Sequence, residues 1–212
     1  MEQHALKQSP RWNVEFHLPV PIFDTKKPLI KCSEYYIERK KFTDTKEIPD
    51  SRILYLGLEN VSQNTGEVIG EIYRMGSDVK SRAKIFHQGD VLYSRLRPNL
   101  NKVIYWDRPE TGLCSTEFLV LSPKLDRING LVLRSLLSSK LVQNQISRLI
   151  TGAALPRLLI EDFSTLMLPE IPTNMLKQYS GKISDLISER REHAKSIDLI
   201  DSELNSFVDD LY

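Results

Sequence analysis

Cysteine is scarce in this sequence, and its two cysteines, Cys32 and Cys114, lie far apart and belong to no CxxC or histidine-flanked pattern. A disulfide framework and a zinc site are therefore not indicated. Long apolar runs are also missing: no stretch approaches the roughly 18 apolar residues of a membrane span, and the opening MEQHALKQSPRW has no signal-peptide core. We expect a cytoplasmic protein that does not contact a membrane.

Motifs of catalysis are scarce as well. The sequence contains no GxxxxGK[ST] phosphate loop, no GxGxxG cofactor loop and no Asn-Pro-Pro-Tyr methyltransferase motif. Asp24 followed by Glu38 and Lys40 has the loose D…ExK spacing of metal-dependent nucleases. Because that pattern is short and common by chance, we predict no catalytic residue, no metal site and no cofactor, and keep a nuclease as an alternative.

Charge of one sign is not in excess overall, since 29 Lys and Arg face 28 Asp and Glu. The distribution is nevertheless uneven. Between Arg74 and Lys102 there are seven basic residues and two acidic ones, whereas from Asp185 to Tyr212 there are eight acidic residues and three basic ones. A basic segment and an acidic carboxyl-terminal segment suit different partners.

What the sequence does contain is a series of short strand patterns separated by turn residues. These segments are RILYLGLENV, VIGEIY, GDVLYSRL, NKVIYWD and GLCSTEFLVLSP. From Asn129 to Leu149 the apolar residues lie mostly three or four apart, which predicts one amphipathic helix, ended at Thr151-Gly152. A short strand, FSTLMLP, and a linker from Pro169 to Pro172 follow. We predict an α+β domain, mainly β, over residues 1–172.

Residues 173–212 have the most regular period in the chain. Apolar and polar positions alternate steps of three and four, as in the seam of a coiled coil, and predict a helix roughly 54 Å long at 1.5 Å per residue. An ordinary amphipathic helix lying on the β domain is the alternative. The seam residues are Leu176, Tyr179, Ile183, Leu186, Arg190, His193, Ile197, Ile200, Leu204 and Phe207.

Hydrogen-bond donors are concentrated in GDVLYSRLRPNLNKV, residues 89–103. Strand alternation would place Arg95 and Arg97 on one face and Leu96 on the other, with Pro98 fixing the turn that follows. An arginine fork can bind phosphate or guanine, which favours DNA binding. Equally, an arginine could pair with Asp90 or Glu117 while the asparagines satisfy a tight turn, and the residues alone leave both possibilities open.

Several segments together resemble a known family. YLGLENV…NTGEV, KSRAKIFHQGDVLYSRLRPNLNKV, CSTEFLVLSPK, TGAALPRL and IP…LKQ before a long helix occur in the order found in the target-recognition domain of type I restriction-modification DNA-specificity subunits. The resemblance begins near residue 11, with RWNVEFHLP, and runs to the end of the chain. It implies a globular α/β domain carrying a long helix that pairs antiparallel with a second one.

The resemblance also implies a function. Each such domain reads one half of a split target on double-stranded DNA, is not itself an enzyme, and docks methyltransferase subunits that use S-adenosylmethionine and, through them, restriction subunits. We expect Arg95, Arg97 and Lys102 to contact phosphates, and the loops 62–66 and 74–84 to read bases. The full set of predicted DNA-binding residues is Arg74, Lys80, Arg82, Lys84, Arg95, Arg97, Asn99, Asn101 and Lys102.

The sequence departs from the family pattern in two ways. Specificity subunits usually carry two recognition domains, and this chain has length for one, so we expect a half-subunit that forms a homodimer, or a fragment. Family members usually carry an acidic residue and a glutamine after the proline-rich turn, where they bear on the methyltransferase contact. Residues 173–178, TNMLKQ, do not match this pair. A stand-alone DNA-binding dimer, such as a repressor, is the main alternative function.

The seam predicts how a homodimer would pair. If Arg190 faces His193 across a twofold axis, every apolar seam residue meets an apolar partner. The predicted layers are Leu186 with Ile197, Ile183 with Ile200, Tyr179 with Leu204, and Leu176 with Phe207.

Overall fold

The computed structural model describes residues 28–150 and 155–209, with side chains to residue 206. Within these ranges the strands are β1 (Leu29–Lys31), β2 (Tyr36–Glu38), β3 (Phe42–Thr43), β4 (Arg52–Leu56), β5 (Tyr73–Met75), β6 (Ala83–Phe86), β7 (Val91–Ser94), β8 (Val103–Tyr105), β9 (Gly112–Ser115), β10 (Phe118–Pro123) and β11 (Met167–Pro169). The α-helices are α1 (Gly130–Leu137), α2 (Lys140–Ile146), α3 (Ile160–Ser164) and α4 (Leu176–Asp209). The predicted α+β class, with a long carboxyl-terminal helix, is confirmed.

The described strands form three sheets. A four-stranded sheet has the order β2-β10-β7-β8, and a five-stranded sheet has the order β3-β6-β9-β4-β5. β1 and β11 form a separate two-stranded sheet, so the segment after Pro28 lies beside the segment that leads into α4. Among these strands β4 and β9 pair in parallel, and the other pairs are antiparallel.

The four-stranded sheet lies in the middle of the domain and is buried on both faces. Because successive side chains of a strand point to opposite faces, Tyr93 and Leu119 pack against the helices, whereas Leu92 and Phe118 pack against the five-stranded sheet. This explains why β7 is buried at every position. The chain is therefore layered as helices, central sheet and outer sheet.

The helical region from Asn129 to Leu149 is two helices rather than the single one that the period predicts. Asn129 caps α1 by accepting a hydrogen bond from the amide of Val132 at 2.9 Å. Ser139 begins α2 in the same way, accepting from the amide of Val142 at 3.4 Å. Serine competes for backbone hydrogen bonds and favours caps, so the Ser138-Ser139 pair divides the helix.

Three strand predictions also need correction. The strand predicted in RILYLGLENV, observed as β4, ends at Leu56. The amide of the next residue, Gly57, donates to the Asn60 side chain at 2.9 Å, and the chain enters a 3₁₀ turn. The strand predicted in VIGEIY lies later, as β5, because Gly70 has a left-handed φ of 68° and interrupts the segment. The strand predicted in FSTLMLP, residues 163–169, begins inside helix α3, which covers Ile160–Ser164. Only Met167–Pro169 of this segment are extended, as β11.

Helix α4 has 34 residues and is about 51 Å long at 1.5 Å per residue. Its first turns are not free, because Leu176, Tyr179 and Ile183 pack half-buried against the core beneath α1. From Arg191 to residue 206 every side chain is exposed. The helix therefore combines the two arrangements considered from sequence: its first half lies on the domain and its second half projects. Within residues 28–150 and 155–209, no helix is long and apolar enough to cross a membrane.

Candidate nucleic-acid interface

The donor-rich segment forms a turn, residues 95–102, which we name the arginine turn. Strand β7 ends at Ser94, so Arg95 and Arg97 lie beyond it. The strand alternation that predicted a common face for these two arginines therefore does not apply to them. Arg97 has a left-handed backbone with φ 47° and ψ 57°, and Asn101 has φ 51° and ψ 47°. Left-handed geometry is uncommon for arginine and persists only where the surroundings hold it.

Backbone hydrogen bonds hold the arginine turn in place. The amide of Arg97 donates to the carbonyl of Pro156 at 2.7 Å, and the amide of Leu158 donates to the carbonyl of Arg95 at 2.9 Å. On the other side, the amide of Arg95 donates to the carbonyl of Glu117 at 2.9 Å. Two segments distant in sequence, SRLRPN and LPRL, thus meet at this turn.

Asn101 supports the turn from a buried position. Its Nδ2 donates to the carbonyl of Ser138 at 2.9 Å, and its Oδ1 accepts from Gln143 at 3.1 Å. Asparagine tolerates left-handed geometry better than most residues. These hydrogen bonds fit the turn-satisfying role considered from sequence, whereas DNA binding by Asn101 stays a prediction.

Glu117 pairs with arginines beside the turn. Its carboxylate accepts a hydrogen bond from Arg157 at 2.9 Å and lies 3.7 Å from Nε of Arg95. Within the described residues Nε of Arg95 is buried and has no hydrogen-bond partner. Arg95 therefore contributes charge to this surface but is partly neutralised, as the alternative interpretation of the sequence allowed. Sequence reasoning missed Arg157, which is brought here only by the fold.

Lys102 and Glu59 connect the turn to strand β5. Nζ of Lys102 donates to the carbonyl of Leu58 at 2.8 Å. Glu59 forms an ion pair with Arg74 at 2.7 Å. A groove of about 190 Å³ lies between them and is lined by Leu58, Glu59, Ser94, Leu96, Arg97, Leu100, Lys102 and Leu155. Arg97, Lys102 and Glu59 line the groove, and Glu59 pairs with Arg74, so the three cations belong to one surface.

Two arginine–aromatic contacts lie on β4 and β5, one on each face of this strand pair. The guanidinium of Arg74 lies 5.3 Å from the ring centroid of Tyr55, and that of Arg52 lies 5.2 Å from the ring centroid of Tyr73. Such pairs hold the guanidinium plane in a defined orientation. Arg52, Tyr55 and Tyr73 were not predicted, because their proximity depends on the register of two strands.

Lys84 is not part of the surface. It is only 5% exposed, its Nζ donates to the carbonyl of Phe118 at 2.8 Å, and Glu38 lies 3.8 Å away. Burial lowers the pKa of Lys84, partly offset by Glu38. Contact of Lys84 with DNA stays a prediction, which would require its amine to leave the carbonyl of Phe118. Lys80 and Arg82 are exposed, and Arg82 lies 4.8 Å from the ring centroid of Phe42.

Around the arginine turn, five cationic side chains lie near two carboxylates. The cations are Arg74, Arg95, Arg97, Lys102 and Arg157, and the carboxylates are Glu59 and Glu117. We name these seven residues the basic surface. Arg97 and Asn99 are exposed, and no side-chain hydrogen bond or ion pair to another described residue engages them. Such an excess of positive charge, with one exposed arginine fork, suits a polyanion.

The nuclease-like residues are not assembled by the described part of the structure. Glu38 lies beside Lys40 at 3.4 Å and Lys84 at 3.8 Å, and Asp24 lies outside the described residues. Within residues 28–150 and 155–209, no group of three His, Cys, Asp or Glu side chains could hold a metal ion.

The loop 62–66, expected to read bases, lies against α4. The carbonyl of Thr65 accepts hydrogen bonds from Arg134 and Arg190, and Glu67 forms ion pairs with the helix. Gln63 and Asn64 remain exposed. The contact of this loop with α4 is well defined by the structure, whereas its contact with bases stays a prediction.

The predicted dimer layers are only partly available. Leu176, Tyr179 and Ile183 pack on their own domain, and Arg190 binds Glu67. The pairing of these residues with a second helix stays a prediction. Four seam residues are exposed: Leu186, Ile197, Ile200 and Leu204. His193 is exposed beside Glu189, and the side chain of Phe207 lies outside the described residues.

Solved structures share this fold at low sequence identity. The HsdS subunit from Thermoanaerobacter tengcongensis superposes with a TM-score of 0.68 at 20% identity, over 82% of this chain and 45% of that chain. A chain from a structural study of complex assembly and conformational transition of the type I restriction-modification system gives a TM-score of 0.68 at 21% identity, over 81% and 45%. The S subunit of the type I restriction-modification system from M. genitalium gives 0.53 at 16% identity, over 84% and 44%.

This chain therefore spans less than half the length of each of these structures. No protein-family model matches the sequence, and no curated protein matches it. The fold expected from the resemblance is confirmed: an α+β domain with a long helix, as in one half of such a subunit.

Proposed function

We propose that this chain is a DNA-specificity half-subunit of a type I restriction-modification system. Residues 1–172 would read one half of a split target on double-stranded DNA, and residues 173–212 would separate and join two such domains. The observation that carries the proposal is the exposed Arg97 in a strained, left-handed turn on the fold of a specificity half-subunit. Strain of this kind concentrates at functional sites.

The basic surface favours phosphate contact by Arg97. Its guanidinium is exposed and engages no described side chain, whereas Arg74, Arg95 and Arg157 already lie beside Glu59 or Glu117. Backbone hydrogen bonds hold the arginine turn, so a phosphate contact made by Arg97 from this turn can position the domain on DNA without reading its sequence.

Association of two chains would use the exposed seam of α4. Leu186, Ile197, Ile200 and Leu204 form an exposed apolar seam that the described part of the domain leaves uncovered. Exposed apolar stripes of this kind mark interfaces between proteins. We propose an antiparallel homodimer through this seam, since a twofold pair would place the two recognition domains at opposite ends of the rod.

Methyl transfer would come from partner subunits. In this proposal the chain contributes recognition, the methyltransferase subunits contribute the reaction with S-adenosylmethionine, and restriction subunits join through them. The support is the fold similarity to structures of type I specificity subunits, one of them from a study of complex assembly.

Reconstitution tests this proposal. The purified chain should neither methylate DNA with S-adenosylmethionine nor nick it with magnesium, whereas adding the methyltransferase subunit that co-purifies with it should restore adenine methylation within a split target. Arg97→Ala should weaken this reaction, and Arg127→Ala, an exposed arginine outside the basic surface, should not. Sequence-specific binding with no co-purifying methyltransferase would favour a stand-alone regulator, and nicking by the chain alone that Glu38→Gln abolishes would favour the nuclease.

A further inference from the structure

The loop 62–67 is an ordered contact between the domain and α4. Asn64 and Gly66 both have left-handed φ, 61° and 65°, and the loop closes on itself through the amide of Ser62, which donates to the carbonyl of Glu67 at 2.9 Å. A methyl group on residue 66 would collide with the carbonyl oxygen of Val103. The loop therefore has one backbone shape, and that shape presents Glu67 to the helix.

Glu67 binds two consecutive arginines of α4. Its Oε1 accepts from Nη2 of Arg190 at 2.7 Å, and both carboxylate oxygens accept from Arg191 at 3.1 to 3.2 Å. We name these three residues the Glu67 cluster. Hydrogen bonds between guanidinium and carboxylate are directional, and several on one carboxylate fix the position of both partners.

A buried arginine supports the loop from below. Arg134 of α1 is 8% exposed, its Nε donates to the carbonyl of Val103 at 3.2 Å, and its Nη2 donates to the carbonyl of Thr65. Nη2 of Arg190 donates to the same Thr65 carbonyl at 3.3 Å. The loop, strand β8, helix α1 and helix α4 are thereby joined by hydrogen bonds at one point.

This point is the last contact between α4 and its own domain in the described residues. Ile183 is the final seam residue packed on the core, and after Arg191 the described side chains are exposed. A polar cavity of about 210 Å³ lies between the loop and the helix, lined by Tyr105, Leu131, Arg134, Ile187 and Arg190 among others. Apolar packing therefore does not fill the space beside the Glu67 cluster, and the helix has room to tilt if those ion pairs are lost.

The length of α4 beyond the Glu67 cluster makes the position of the helix end sensitive to the helix direction. From Arg191 to Asp209 the helix extends about 27 Å at 1.5 Å per residue. A tilt of roughly 10° at the Glu67 cluster would therefore move its end by about 5 Å, which exceeds the 3.4 Å rise of one base pair.

We propose that Glu67 is a positioning residue that sets the direction of α4 and so determines which spacing between two half-targets the assembled protein accepts. This inference rests on the proposed function for its consequence on DNA. Its structural part, the direction of the helix, concerns the chain alone.

The first arm of the test measures the helix direction. Spin labels attached to cysteines at Ser77→Cys on the domain and Ser202→Cys on α4 report one distance, measured in label-diluted samples so that only pairs within a chain contribute. Both substituted positions are exposed. Cys32 and Cys114 are buried, and burial raises the pKa of Cys32 to about 12, so the native thiols stay unlabelled.

We expect one narrow distance distribution for the wild type and a broader or shifted one for Glu67→Gln. Arg190→Gln with Arg191→Gln should have the same effect from the other side of the cluster. Glu110→Gln, which neutralises an exposed glutamate outside the cluster, is the matched control. A distribution for folded Glu67→Gln identical to that of the wild type would overturn the inference.

The second arm measures spacing. The complex with the co-purified methyltransferase is given duplexes in which the spacer between half-targets is one base pair shorter or longer than the preferred one. We expect the wild type to lose roughly tenfold or more in rate with each change, and Glu67→Gln to lose much less. Equal losses in both proteins would contradict the inference. If no wild-type methylation occurs at all, the proposed function fails while the spin-label arm still decides the role of Glu67.

Discussion

At Arg97 the strained backbone allows the effect of a substitution on stability to be separated from its effect on DNA binding. Left-handed geometry costs a non-glycine residue roughly 1–2 kcal/mol, and glycine escapes this cost. Arginine at this position is therefore unfavourable for folding, and its exposed guanidinium has no described side-chain partner that would compensate. A residue kept at a cost to stability is expected where its side chain has a function.

The first prediction concerns Arg97. Arg97→Gly should raise the free energy of unfolding relative to Arg97→Ala by about 1 kcal/mol, because only glycine relieves the left-handed strain. Both variants should weaken binding to all DNA sequences alike and reduce the slope of log K against log salt by about one unit. Urea unfolding and binding titrations at several salt concentrations measure the two effects, and DNA affinity equal to that of the wild type would remove Arg97 from the interface.

The second prediction distinguishes Lys84 from Arg97. Lys84→Ala should lower the free energy of unfolding by about 1–3 kcal/mol, because it leaves the buried carbonyl of Phe118 without its donor. The salt slope of DNA binding by the folded variant should stay that of the wild type. Unchanged stability together with a flatter salt slope would place Lys84 on the DNA-facing surface after all.

Residue types alone did not separate these roles. Lys84 and Arg82 lie two positions apart in one basic segment, yet one is buried and the other exposed, because Lys84 lies within β6 and reaches the carbonyl of Phe118, whereas Arg82 precedes the strand. Asn99 and Asn101 differ in the same way. The donor-rich composition of the turn was predictable, and the burial of its members was decided by strands and helices distant in sequence.

At the scale of elements, buried strands were the easiest to predict and divided helices the hardest. β7 and β10 lie in continuous apolar runs, which is typical of strands covered on both faces. The break between α1 and α2 was missed because Ser138 and Ser139 do not disturb the apolar period on either side. Ser139 caps the second helix and so divides the helical region, although the spacing of the apolar residues continues across the break.

The contact of the loop 62–67 with α4 makes a prediction about pH. Partial burial alone would raise the pKa of Glu67, but hydrogen bonds from Arg191 and Arg190 outweigh it and hold the pKa below its ordinary value of 4.5. A lowered pKa in the folded state means that the contribution to stability is complete above pH 4.5 and is lost as the pH falls through the folded value. Arg134 and Asp107 also face this site.

The measurement compares wild type with Glu67→Gln, since the neighbouring groups are the same in both proteins. The difference in free energy of unfolding between them should be constant above pH 4.5 and should shrink as the solution becomes more acidic. A difference that grows on acidification would show that the carboxylate is not held by these arginines.

At the scale of the whole molecule, the direction of α4 was not predictable from sequence. The period of its seam predicted a long helix, which is observed, but Glu67 lies 123 positions before Arg190, and no local pattern links them. The same seam residues can pack on their own domain or on another helix. The structure divides them: Leu176, Tyr179 and Ile183 lie on the domain, and Leu186, Ile197, Ile200 and Leu204 are exposed.

Two neighbouring residues test the dimer proposal. Ile200 lies on the exposed seam, and Leu199 is 62% exposed but off it. Ile200→Glu should raise the dimer dissociation constant at least about a hundredfold, because each of two copies loses about 1.5–3 kcal/mol of apolar burial. Leu199→Glu should leave the dimer unchanged.

Sedimentation equilibrium measures both variants. Ile183→Glu is a poor probe, because Ile183 packs against its own core and its loss would also destabilise the domain. A monomeric wild type, or equal effects of the two substitutions, would exclude this seam as the interface.

Selection of bound sequences from a pool of random duplexes tests the central claim most directly, using the chain together with the methyltransferase subunit that co-purifies with it. If two identical recognition domains are joined by a twofold helix pair, the enriched duplexes should contain one short motif twice, in inverted orientation, separated by a fixed number of unselected base pairs. A single uninterrupted motif, or no enrichment at a salt concentration where the duplexes still bind, would contradict the assignment of this chain as a specificity half-subunit.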